Sequence, residues 1–88
     1  MEVKFKEFII SDNMKKIKLD RVSQLLSTTY WAKDRPKDII EKSMINSICF
    51  GIYLKDYQVG FARCVTDFAT VYWLADVIID NDYRKLGL

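Results

Sequence analysis

Residues 70–88 read TVYWLADVIIDNDYRKLGL. From Val71 to Ile79 every residue but Asp76 is apolar or aromatic. A run this dense predicts a strand over 70–80, about 35 Å long at roughly 3.3 Å per residue. Strands of near-continuous apolar character are usually central, covered on both faces. Directly behind the strand come a polar turn, then Arg84 and, three positions on, Gly87. Glycine lets the backbone approach an anion closely, and successive amides can then point inward. A helix after such a turn would add its positive N-terminal end. The stretch therefore reads as a strand leading into the beginning of a phosphate-holding turn. The sequence stops at Leu88. The expectation is of a domain cut short there, its last strand uncovered and a self-association hazard.

Upstream, the pattern predicts an α+β domain. Residues 3–10, VKFKEFII, alternate and then run apolar, as a first strand does. SDN breaks it. Residues 20–29 carry Val22, Leu25 and Leu26 at helical spacing, with Asp20 as the N-cap. Pro36 suits the first turn of a second helix, where Asp38 and Glu41 favour the positive end. Ile39, Ile40, Met44 and Ile45 form its apolar stripe, and Asn46-Ser47 close it. Residues 48–54 and 59–66 are two more strands, joined by the polar turn KDYQ. The order is strand, helix, helix, then three strands in an antiparallel meander. No repeat or linker divides it, so residues 1–88 form one domain.

Composition narrows the function. A chain of 88 residues buries roughly 60–65% of its unfolded surface, enough for one small core. With 14% aromatic and 50% hydrophobic residues, disorder is excluded. A net charge of +2 is too small for a nucleic-acid footprint. Lys15, Lys16, Lys18 and Arg21 cluster, but Asp12 and Asp20 flank them, as on a solvated face. There is no His, so a His-bearing zinc site is excluded, and Cys49 and Cys64 lack CxxC spacing. They read as reduced thiols in a cytoplasmic protein. MEVKFKEF is no signal peptide, and no apolar run approaches the ~20 residues that span a bilayer.

Five segments together, YWAKDRP, CFGIY, QVGFARCVTDFAT, WLADVIID and DYRKLGL, resemble the N-terminal half of a GNAT-family acyl-CoA-dependent N-acetyltransferase. The resemblance covers roughly Ser27 to Leu88. It implies a partial GNAT fold ending at the start of a third helix. The family's loop, Q/R-x-x-G-x-G/A, is matched by Arg84 in its first position and Gly87 in its fourth, with Leu88 in the fifth. The sixth position lies past the end of the sequence. Lys85 stands where many members have Gly. The resemblance implies acetyl-CoA as acyl donor. Its pantetheine arm would meet the main chain of Val77, Ile78 and Ile79, and its diphosphate Arg84, Lys85, Gly87 and Leu88. It also places Tyr30, Trp31 and Arg35 beside the acceptor-substrate cleft.

The implied reaction is attack of a substrate amine on the acetyl thioester. It needs a base, an oxyanion donor and an acid for the leaving thiolate. Asp76 is the one acid inside the last strand, and burial would raise its pKa toward that of a base. The other reading is a structural acid bonded to backbone or to Arg63. Some family members carry Glu one position earlier, where this chain has Ala75, so the catalytic base and acid stay unassigned. Tyr72 and Trp73 read as sheet packing. Two functions follow. One is an N-acetyltransferase of a small-molecule or peptide amine, present as an N-terminal half that is inactive alone. The other is a non-catalytic remnant that self-associates, as a dimer or larger homo-oligomer, through the uncovered last strand. Neither involves nucleic acid or a membrane.

Overall fold

The computed structural model describes residues 2–86. Five strands form one antiparallel sheet in chain order: β1 (Glu2–Phe5), β2 (Phe8–Ser11), β3 (Ile48–Leu54), β4 (Tyr57–Thr66) and β5 (Tyr72–Ile79). Helices α1 (Leu19–Leu26) and α2 (Lys37–Ile45) lie between β2 and β3 in sequence. A short 3-10 helix, Asn81–Leu86, follows β5.

The three-strand meander and both helices stand where the pattern placed them, but the first strand does not. Residues 3–10 fold as a hairpin, with Lys6-Glu7 as its turn and Lys6 at φ 56°. Glycine, asparagine and aspartate are the residues that usually announce such a turn. Lys carries no such signal, so the alternating pattern reads straight through it. The sheet therefore has one strand more than expected.

The core lies between the helices and one face of the sheet. Val22, Leu25 and Leu26 of α1 and Ile40 and Met44 of α2 pack on Cys49, Tyr53, Phe61 and Ile78. Ile39 and Ile45 were expected in that stripe, yet they are 49% and 73% exposed. Only the Ile40–Met44 edge of α2 meets the sheet. The N-cap of α1 is Lys18, not Asp20, which sits inside the first turn without a cap bond. Pro36 is the N-cap of α2, one residue before the expected position, with extended backbone.

Two bulges set the faces of the sheet. Arg63 pairs with Asp76 but Cys64 pairs with Leu74, so Ala75 is an extra residue on β5. Cross-strand partners share a face. Phe61, Arg63, Val65, Trp73, Asp76 and Ile78 thus face the helices, while Tyr72, Leu74 and Val77 share the far face with Ala62 and Cys64. The other bulge leaves Val59 between the pairs Ile52–Gly60 and Tyr53–Gln58. On the far face the side chains of Ile52 and Ile79 close over Gly60. A Cβ there would lie within 3 Å of both.

β5 is an edge strand among the described residues, not the covered central strand its composition suggests. Tyr72 and Trp73 are each 72% exposed, so neither is core. No helix among the described residues is long and apolar enough to cross a membrane.

Candidate functional site

The site is built around Asp76, which is 2% exposed on the helix side of β5. Three donors reach its carboxylate. Arg63 Nε donates to Oδ2 at 2.8 Å from the neighbouring strand. Arg35 Nη1 donates to the same oxygen at 2.9 Å, and Trp31 Nε1 to Oδ1 at 3.2 Å. Arg63 also donates from Nη1 to Ser47 Oγ at 3.1 Å.

The α1–α2 connection places Trp31 and Arg35. Thr29 Oγ1 donates to the Leu26 carbonyl and accepts from Ala32 N–H, and Arg35 N–H donates to the Ala32 carbonyl. These bonds coil residues 29–35 so that a tryptophan and an arginine four positions apart converge on one carboxylate.

Burial pushes the Asp76 carboxyl up, but hydrogen bonds from Arg63, Arg35 and Trp31 outweigh it, with Arg35's charge adding to them. The net shift is downward. This overturns the expectation of a raised pKa. An acid bonded to two guanidiniums holds its proton weakly and is a poor base at neutral pH. The expected bond to Arg63 is present.

A second cluster anchors the end of β5. Arg21 Nη2 pairs with Asp80 Oδ2 at 2.6 Å, and Arg21 Nε donates to the Gln58 carbonyl at 2.7 Å. Its guanidinium also stacks over the Tyr57 ring, 4.5 Å from the centroid. Asp80 then opens the 3-10 turn: its Oδ1 accepts from Asp82 N–H and its carbonyl from Tyr83 N–H. The Tyr83 ring packs edge-on against Phe8.

The expected site residues divide accordingly. Trp31, Arg35 and Asp76 come together; Tyr30 is 91% exposed and stays outside the cluster. Val77 is half exposed, Ile78 is buried and Ile79 is partly buried, on a strand with a neighbour on one side only among the described residues. Arg84 and Lys85 lie on the 3-10 backbone, while Gly87 and Leu88 fall outside the described residues. Cys49 and Cys64 are free, and burial pushes the Cys49 thiol up to about 11, which rules it out as a thiolate at neutral pH. No metal-holding group of His, Cys, Asp or Glu occurs among the described residues.

Sequence reasoning missed Arg21, Gln58, Asp80 and Ser47. Arg21 and Asp80 are 59 positions apart, and nothing in either neighbourhood announces the pairing. Arg63 and Asp76 did carry a signal, since each is the single charge within an apolar strand.

Two helices on one face of an antiparallel sheet, with a last strand whose outer edge is open among the described residues and which turns past an anchored Asp, define an α+β fold. No family model matches the chain. It is 30% identical over 101 residues to a protein named as an acetyltransferase in Gibberella zeae, covering 92% of this chain and 57% of the other. It is 36% identical over 94 residues to an uncharacterised N-acetyltransferase of Pyropia yezoensis, covering 99% and 52%. A crystal structure from Xanthomonas campestris pv. campestris, of a protein assigned to the GNAT acetyltransferases, superposes with a TM-score of 0.87 at 30% identity. That match covers 96% of this chain and 60% of the other. Over the part they share, the chain is a relative of GNAT-family N-acetyltransferases. It spans about half the length of the curated relatives it matches.

Proposed function

We propose that the protein acts in acetyl transfer from acetyl-CoA to the amine of a small molecule or peptide, this chain forming the N-terminal half of the fold. The observation that carries the reading is the juncture at the end of β5. An edge strand, free of a second strand partner among the described residues, runs into a turn that the Arg21–Asp80 pair holds in place. When bound, acetyl-CoA would supply the thioester whose acetyl carbon the amine attacks.

The main chain of Val77, Ile78 and Ile79 would line its pantetheine arm, as a strand edge accepts an extended ligand. Arg84, Lys85, Gly87 and Leu88 would meet its diphosphate. Trp31 and Arg35 would border the acceptor, with Asp76 fixing their position rather than taking a proton. A cytoplasmic setting belongs to this reading, in keeping with free Cys49 and Cys64.

Calorimetric titration with acetyl-CoA tests the reading. Saturable heat in the micromolar range is the expected result, and no heat at millimolar ligand defeats it. A second reading, a non-catalytic chain that self-associates, draws on Tyr72, Trp73, Leu74 and Val77, each more than half exposed on β5. Light scattering after size exclusion separates the two: a clean monomer removes the second.

A further inference from the structure

We propose that the acceptor carries a carboxylate, held in an open cationic groove between α2 and β4. The word acceptor rests on the transferase reading above; the anion site does not. The groove, open to solvent, has a volume of about 320 Å³ and is lined by Arg63, Lys42, Ser47, Asn46, Ile39 and Val65, among others. Among the described residues, two cations line it and no acid does.

Arg63 is only partly neutralised, because it shares its carboxylate partner. Asp76 gives one negative charge to two guanidiniums, Arg35 and Arg63, so the buried cluster keeps a surplus positive charge. Arg63 uses one N–H on Asp76 and one on Ser47. A guanidinium has five, so three remain for a ligand. Lys42 has no side-chain partner among the described residues.

Arg63 is also fixed in place before any ligand arrives. Its Nε bond to a carboxylate only 2% exposed spares most of the entropy that a free arginine loses on binding. Each side pairs a cation with an apolar residue, Lys42 with Ile39 on α2 and Arg63 with Val65 on β4, and Ile39 and Val65 are 49% and 41% exposed. A bare inorganic ion would leave Ile39 and Val65 wet. A small carbon skeleton ending in a carboxylate covers them and meets the cations together.

The probe is N-acetylglycine, a carboxylate without a reactive amine, titrated by calorimetry or by amide NMR without acetyl-CoA. The expected result is saturable binding that weakens at least tenfold for the neutral methylamide of the same compound. Lys42→Glu, at an exposed helix position, should weaken it at least tenfold while the melting temperature holds. Equal binding of acid and amide, or binding indifferent to Lys42→Glu, overturns the inference. So does inorganic phosphate binding as tightly as N-acetylglycine. Acetyl-CoA heat without N-acetylglycine binding overturns it too and leaves the transferase reading standing. N-acetylglycine binding that Lys42→Glu abolishes, with no acetyl-CoA heat, keeps the anion site and removes its role for an acceptor.

Discussion

Asp76 carries more of the site than any other residue, and pH is the lever that exposes its part. Its carboxyl is held below the ordinary value in the fold, so the unfolded chain takes up its proton first as pH falls. The stability it contributes is therefore whole above about pH 5 and drains away as pH drops through the carboxylate range toward the lower native value. Asp76→Asn, which leaves two arginines facing a neutral amide, should cost about 3 kcal/mol at pH 7. It should also flatten the loss of stability below pH 5. Urea unfolding at pH 7, 5 and 3.5 measures both; acid slopes that match in the two proteins would mean another group titrates. Tyr53 gives the opposite kind of test. Its hydroxyl is buried without a hydrogen-bond partner among the described residues, and the ring lies over Gly51, where a Cβ would collide with it. Tyr53→Phe removes an unsatisfied polar atom and should raise stability by about 1 kcal/mol. A drop would reveal a partner for the hydroxyl.

Among the elements, β5 and the turn after it matter most. The turn is too short to hold itself, and α1 holds it through Arg21. Arg21→Ala should leave the sheet intact and loosen residues 81–86. Exchange of the Tyr83 amide, which donates to the Asp80 carbonyl, should speed up about tenfold while core amides of β3 are unchanged. Uniform loss of protection would instead place Arg21 in global stability. β5 itself has an apolar far face that no described helix covers, with Leu74 61% exposed. If that face drives association, Leu74→Lys should shift the scattering mass down toward a monomer. A mass that stays put would clear the strand of that role. Ala75, the extra residue on β5, is what turns Leu74 outward while Asp76 faces the helices.

For the molecule as a whole, the sheet has two unlike faces. One carries both helices and the core; the other, among the described residues, has a small apolar contact where Ile52, Ile79 and Gly60 meet, with Phe8 and Tyr83 packed together. A ligand that binds along β5 and its turn would tie α1, β4 and β5 together through Arg21, Asp80 and Arg63. Binding to the folded state alone stabilises it by about 2.7 kcal/mol at a hundred times Kd. Acetyl-CoA at that excess should raise the melting temperature by several degrees, and CoA lacking its diphosphate should do so less. Equal shifts would remove the turn from the binding site.

Local pattern was enough to determine the α+β class, both helices, the three-strand meander and the family resemblance. Each of these is written in neighbouring residues: period-3.6 stripes in α1 and α2, dense apolar runs in β3 to β5, and a polar turn before Arg84 and Gly87. The structure alone decided which side of each element is buried and which charges meet. The hairpin at Lys6 lay hidden because its turn uses no residue that favours positive φ. Tyr72, Trp73, Ile39 and Ile45 are exposed because burial depends on what packs opposite, which an apolar side chain does not encode. Of the two readings of Asp76, a base or a structural acid, the structure favours the paired ion, because its pKa is set by Arg35 and Arg63, 41 and 13 positions away, brought within hydrogen-bond reach only by folding.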